Sequence, residues 1–263
     1  MEMLHSNLSQ NLSVFLLFCS LTFSANAAYI FIPMDESQSN HLKAYGIAYY
    51  AIERDVKVDW LLNYQGGSFL IKQHSTIENE CNIRGVSYQL IADVQSTQIL
   101  QSIASPEVNQ DVVRLEKAPK IAIYSPNNKQ PWDDAVTLAL TYAEIPYEVI
   151  YDEEVLSNLL PLYDWLHLHH EDFTGQYGKF YASFKNATWY KDQKRDYEIL
   201  AKKLGYEKVS TEKLAVAKKI KEFVNGGGFL FAMCSATDSY DIALAAEGLD
   251  ICGPMFDGDA ADP

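Results

Sequence analysis

The sequence predicts an α/β protein, with a doubly wound, mainly parallel sheet over residues 118–263 preceded by a smaller α/β unit over residues 28–117. Three observations carry this reading. Compact apolar runs alternate with stretches of helical spacing, separated by turn clusters. The alternation halts and restarts at Lys117-Ala118-Pro119. Late in the chain, Phe229-Leu230-Phe231-Ala232-Met233 is apolar without interruption, as expected of a strand covered by helices on both faces.

In the first unit, Tyr29 to Pro33 reads as a strand. Ser39 to Arg54 reads as a helix, because Leu42, Tyr45, Ile47, Ala48, Tyr49 and Ile52 recur at spacings of three and four. Val58 to Leu62 and Ser68 to Ile71 are strands on either side of a Gly66-Gly67 turn. A helix near Thr76 to Ile83 and a strand at Tyr88 to Ala92 follow.

In the second unit, Lys120 to Tyr124 is a strand that stops at the turn residues Ser125-Pro126-Asn127-Asn128. Pro131 opens a helix running to about Ala143, with Asp133 and Asp134 at the positive end of its dipole. Tyr147 to Tyr151 is a strand, Glu153 to Leu160 a short helix, and Asp164 to His170 the third strand. An aromatic insertion at Gly175 to Tyr190 precedes helices near Lys191 to Leu204 and Thr211 to Val224. The second of these ends on Asn225-Gly226-Gly227-Gly228, a source for a left-handed cap. The Phe229 to Met233 strand and a helix at Tyr240 to Ala246 complete the run.

Composition excludes several classes. The 263 residues carry 35 acidic and 21 basic side chains, a net charge of -14, with 48% hydrophobic residues. That is too apolar for a disordered chain and too acidic, without a basic run, for nucleic acid or anionic lipid. Leu12 to Phe23 is apolar but shorter than the ~20 residues that span a bilayer. It leads into Ser24-Ala25-Asn26-Ala27, with small residues where a signal peptidase reads. Residues 1–27 are therefore expected to be a secretory signal, although no Lys or Arg precedes the apolar run. The mature protein is expected to be periplasmic or secreted, with no membrane span. Removal of Cys19 leaves Cys81, Cys234 and Cys252, an odd number, so at least one thiol stays free of an internal pair.

In open parallel sheets, ligands bind beyond the carboxyl ends of the strands. Two segments fall there: His169-His170-Glu171-Asp172, and Cys234-Ser235-Ala236-Thr237-Asp238. A cysteine between a strand and a helix has the placement of a nucleophile elbow, where a tight turn lifts the thiol and the helix N-terminus supplies N–H groups to an oxyanion. The small residues Ala232, Ser235 and Ala236 permit such a turn, but the flanking glycines usual there are absent. A packed, inert thiol is the alternative.

His169 or His170 is the candidate base, with Glu171 or Asp172 orienting the ring. Strand alternation places His167 and His169 on one face and His170 on the other, with His167 a core residue. The same run offers ligands suited to zinc, iron or manganese, but neighbours on an extended strand point apart, so no metal and no cofactor is expected. The aromatic insertion, with Tyr177, Phe180, Tyr181, Phe184, Trp189 and Tyr190, either lines a carbohydrate or aryl pocket or packs onto the domain. Asp250 to Pro263 lacks the pattern of a calcium loop and reads as a solvated segment.

From Lys120-Ile121-Ala122-Ile123-Tyr124, through Asp164 to Asp172, to Asn225-Gly226-Gly227-Gly228 and Cys234, the second unit resembles the class I glutamine amidotransferase-like fold, a flavodoxin-type α/β sandwich. The whole chain from Ala28 resembles an exported bacterial family often labelled asparagine synthetase B. The first resemblance implies that Cys234 occupies the nucleophile position. The second implies a chain longer than 263 residues, so that this one reads as a fragment lacking closing strands. A glutamine-hydrolysing asparagine synthetase would carry an N-terminal cysteine and an S-G-G-x-D-S loop, and neither occurs. No histidine follows Cys234, where the amidotransferases carry theirs. The function expected is a thiol-dependent amide or ester hydrolase; the alternative is a noncatalytic domain of the same fold that holds a small molecule or carbohydrate.

Overall fold

The computed structural model describes residues 27–126, 135–177 and 180–263. The chain divides into two compact units, Met1–Glu116 and Lys117–Pro263. The expected signal segment, apart from Ala27, and the expected helix start at Pro131, Asp133 and Asp134 lie outside the described residues.

The first unit comprises β1 (Ala27–Ile32), α1 (His41–Ile52), β2 (Val58–Leu62), β3 (Ser68–Lys72), α2 (Ser75–Arg84), β4 (Gln89–Ala92), α3 (Asp93–Ile103) and β5 (Asp111–Leu115). The last two were not predicted. Its sheet has the order β4-β1-β3-β2-β5, and every pair is antiparallel. The expectation of a smaller α/β unit left its strand pairing open, and the pairing is antiparallel. The reason is local: Gly66 and Gly67, at φ of 80° and 92°, close β2 onto β3 as a hairpin, which can only be antiparallel. A side chain at Gly66 would lie 2.3 Å from the Met34 carbonyl oxygen. Ile30, Ile32, Leu61, Phe69, Leu70 and Ile71 are buried. Arg114 of β5 forks onto Asp59 of β2 at 2.7 and 3.0 Å.

The second unit comprises β6 (Ile121–Tyr124), α4 (Ala135–Ala143), β7 (Glu148–Ile150), α5 (Asp152–Leu156), a 3-10 turn at Leu160–Leu162, β8 (Trp165–Leu168), α6 (Tyr181–Phe184), α7 (Thr188–Lys203), α8 (Val209–Asn225), β9 (Phe229–Ala232), α9 (Ser235–Ala245) and α10 (Pro254–Asp257). The sheet is parallel throughout, in the order β7-β6-β8-β9. Ala122, Tyr124, Leu166 and Leu168 pack against Val216, Ala217 and Ile220 of α8 and Ala236 and Ala243 of α9.

Two sequence expectations are corrected, that Phe229 to Met233 is covered on both faces and that Asp250 to Pro263 is a solvated segment. Among the described residues, the apolar run at Phe229 to Met233 is an edge strand paired with β8 alone, so its odd positions stay open: Phe229 is 62% and Phe231 40% exposed. Only Leu230 and Ala232 pack onto the core. Left-handed geometry follows α8 at Gly227 (φ 99°), whereas Gly226 remains helical. Gly228 is held by close approach, since a side chain there would meet the Phe223 ring at 2.2–2.4 Å. The segment after Asp250 is more than solvated loop: it forms α10, buries Cys252 and packs Phe256 among Tyr177, Tyr181 and Tyr190. The aromatic insertion packs down in that cluster. Among the described residues, no helix is long and apolar enough to cross a membrane.

Candidate functional site

β8 and β9 are parallel neighbours, so the segments leaving their carboxyl ends run side by side. The Met233 N–H donates to the Leu168 carbonyl at 2.9 Å, and the Ala236 N–H to the His169 carbonyl at 3.1 Å. Ser235 Oγ donates to the His170 carbonyl at 3.1 Å, and Ser239 Oγ to the Glu171 carbonyl at 2.7 Å. Three consecutive carbonyls of the segment after β8 are thus held by the first turns of α9. Sequence reasoning named Ser235 only as a small residue permitting the turn and passed over Ser239; their i, i+4 spacing at a helix start is the signal that could have found them as a pair.

Cys234 is the hinge of this arrangement. It is exposed, immediately precedes α9, and has φ 52° and ψ -136°. A non-glycine residue there carries strain on the order of 1–3 kcal/mol. No glycine flanks the turn. Of the two N–H groups after Cys234, that of Ala236 is taken by the His169 carbonyl, while no described residue accepts from that of Ser235.

The other two described thiols differ in kind. Cys81 is fully buried, and burial pushes it up to about 12. Cys252 is also fully buried, raised mainly by burial to about 11, and its thiol donates to the Thr174 carbonyl at 3.1 Å. All three are free thiols.

β8 ends at Leu168, two residues sooner than expected, and strand alternation ends with it. His169 and His170, expected on opposite faces, instead stack with ring centroids 3.7 Å apart and planes 34° apart. His167 is buried within β8, as expected, with Nδ1 3.1 Å from the Phe231 carbonyl oxygen. The Glu171 carboxylate helps to raise the phenols of Tyr124, Tyr151 and Tyr197, after the larger effect of their burial. Asp172 Oδ1 accepts from Thr174 N–H at 2.9 Å and from Thr174 Oγ1 at 2.6 Å.

Among the described residues, the metal-ligating atoms that converge belong to Asp250, Cys252 and Asp257, within 4.8 Å of one another, and not to the His169–Asp172 run. An ammonium already serves that acidic group. Lys208 Nζ lies 2.6 Å from Asp250, 2.7 Å from Asp259 and 3.3 Å from Asp257.

Comparison with protein-family models, curated proteins and solved structures finds no match to this chain.

Proposed function

We propose that the second unit is a flavodoxin-type, amidotransferase-like domain of an exported protein, and that it hydrolyses an amide or ester through Cys234. The observation that carries this reading is the exposed Cys234 thiol at positive φ, at the junction of a parallel strand and the N-terminus of an eleven-residue helix. The strand order supports it too, since β7-β6-β8-β9 follows the 2-1-3-4 start of a flavodoxin-type sheet.

In this reading His169 or His170 accepts the thiol proton, and the thiolate sulfur attacks the substrate carbonyl carbon. The Ser235 N–H steadies the oxyanion, and the imidazolium returns the proton to the departing amine or alcohol. Water then cleaves the thioester, releasing the acid and restoring the thiol. Glu171 acts on the histidines through the position of the segment rather than as a reacting group.

The test combines labelling and turnover. Iodoacetamide should modify Cys234 in the native protein, with the rate at neutral pH reduced in whichever of His169→Ala and His170→Ala removes the base. Any turnover of p-nitrophenyl esters or glutamine should vanish in Cys234→Ser. Activity retained in that variant would remove the nucleophile. An inert Cys234 would favour the second reading, a noncatalytic domain that holds a small ligand.

A further inference from the structure

Away from Cys234, the second unit buries a cluster of charged groups. Lys213 of α8 is 2% exposed, while Asp152 of α5 and Glu212 of α8 are each 1% exposed. Lys213 Nζ contacts Asp152 Oδ2 at 2.6 Å, Tyr151 Oη at 2.9 Å and Tyr124 Oη at 3.0 Å, so its three donors are all engaged. The ammonium also sits 4.2 Å from the centre of the Tyr151 ring and 5.2 Å from that of Tyr197. The Tyr124 hydroxyl donates to the second oxygen of Asp152.

One ammonium therefore faces two carboxyl groups out of contact with water, and it is bonded to only one of them. Glu212 Oε1 is buried with no hydrogen-bond partner. An ionised carboxylate in that position would be a second negative charge in a medium that solvates charge poorly, and the neutral acid avoids this.

We propose that Asp152, Glu212 and Lys213 form a buried one-proton latch joining α5 to α8, closed while Glu212 holds its proton and loosened when that proton leaves.

Burial, opposed by Lys213 and reinforced by Asp152, raises Glu212 to about 8. Burial draws Lys213 down, but the Asp152 carboxylate, bonded to it at 2.6 Å, offsets this and keeps the ammonium charged. Tyr124 from β6, Tyr151 beyond β7 and Tyr197 from α7 are pushed up mainly by burial and remain neutral donors, with Glu171 adding to the effect. Because Glu212 is raised from 4.5 on folding, its stabilisation is complete below that value and is lost as pH rises to about 8.

The experiment is urea denaturation of the full chain and of Glu212→Gln, at pH 6 and pH 9. The wild-type unfolding constant should rise by on the order of a hundredfold more than that of the variant across this interval. Parallel pH dependences would overturn the latch. Should Glu212→Gln not fold, carboxyl carbon-13 spectra of glutamate-labelled wild type decide. One side-chain resonance titrating near pH 8 is expected, and all of them titrating below pH 6 would overturn the proposal.

Discussion

The backbone N–H of Ala236 donates to the carbonyl of His169 across 3.1 Å, tying the turn after β9 to the segment after β8. The bond joins residues 67 positions apart in the sequence, and it exists because β8 and β9 are parallel neighbours whose carboxyl ends lie together. The candidate nucleophile and candidate bases thus share a backbone anchor.

Ser239 strengthens that anchor with a 2.7 Å bond to the Glu171 carbonyl. Ser239→Ala removes this part-buried hydrogen bond and should cost about 1 kcal/mol. Urea denaturation measures it. A change within ~0.3 kcal/mol would show that the segment is held mainly by the backbone bond.

At Cys234, positive φ should be relieved by glycine and worsened by a branched side chain. Cys234→Gly is expected to raise stability by about 1 kcal/mol, and Cys234→Val to lower it. If denaturation midpoints show glycine to be no better than cysteine, the turn does not store strain.

The centre and the edge of the second sheet should respond unequally. Leu166→Ala removes a fully buried side chain between β6 and β9 and should cost about 2–4 kcal/mol. Phe229→Ala, at an open position on the edge strand, should cost less than about 1 kcal/mol. Comparable losses in thermal or urea unfolding would contradict the exposure of β9.

Lys213→Met should be among the most damaging single changes, since it strands the Asp152 carboxylate in the core at a cost of about 3–5 kcal/mol. Adding Asp152→Asn should recover part of that loss. A double-mutant cycle without coupling would show that the pair acts independently.

Thiol accessibility offers a further check. Under native conditions iodoacetamide should leave Cys81 and Cys252 unmodified while Cys234 reacts, and urea should expose all three. Peptide mass spectrometry assigns the sites. Rapid native modification of Cys252 would mean that its contact with the Thr174 carbonyl opens readily.

The sequence alone determined which stretches are strands and which are helices over most of the chain, because side-chain periodicity and turn residues act over a few positions. It also located the Cys234 junction and the buried His167. Tertiary structure decided what depends on partners distant in sequence. The pairing of β4-β1-β3-β2-β5 settled the antiparallel order of the first sheet, and the order of the second made an apolar run an edge. The early end of β8 stacked His169 on His170. Lys213 was legible only in hindsight: it keeps the spacing of Val209, Val216, Ala217 and Ile220 on the buried face of α8, yet nothing local names Asp152 as its partner. Periodicity says which way a side chain points. What waits there to neutralise a charge is settled only when the chain folds back on itself.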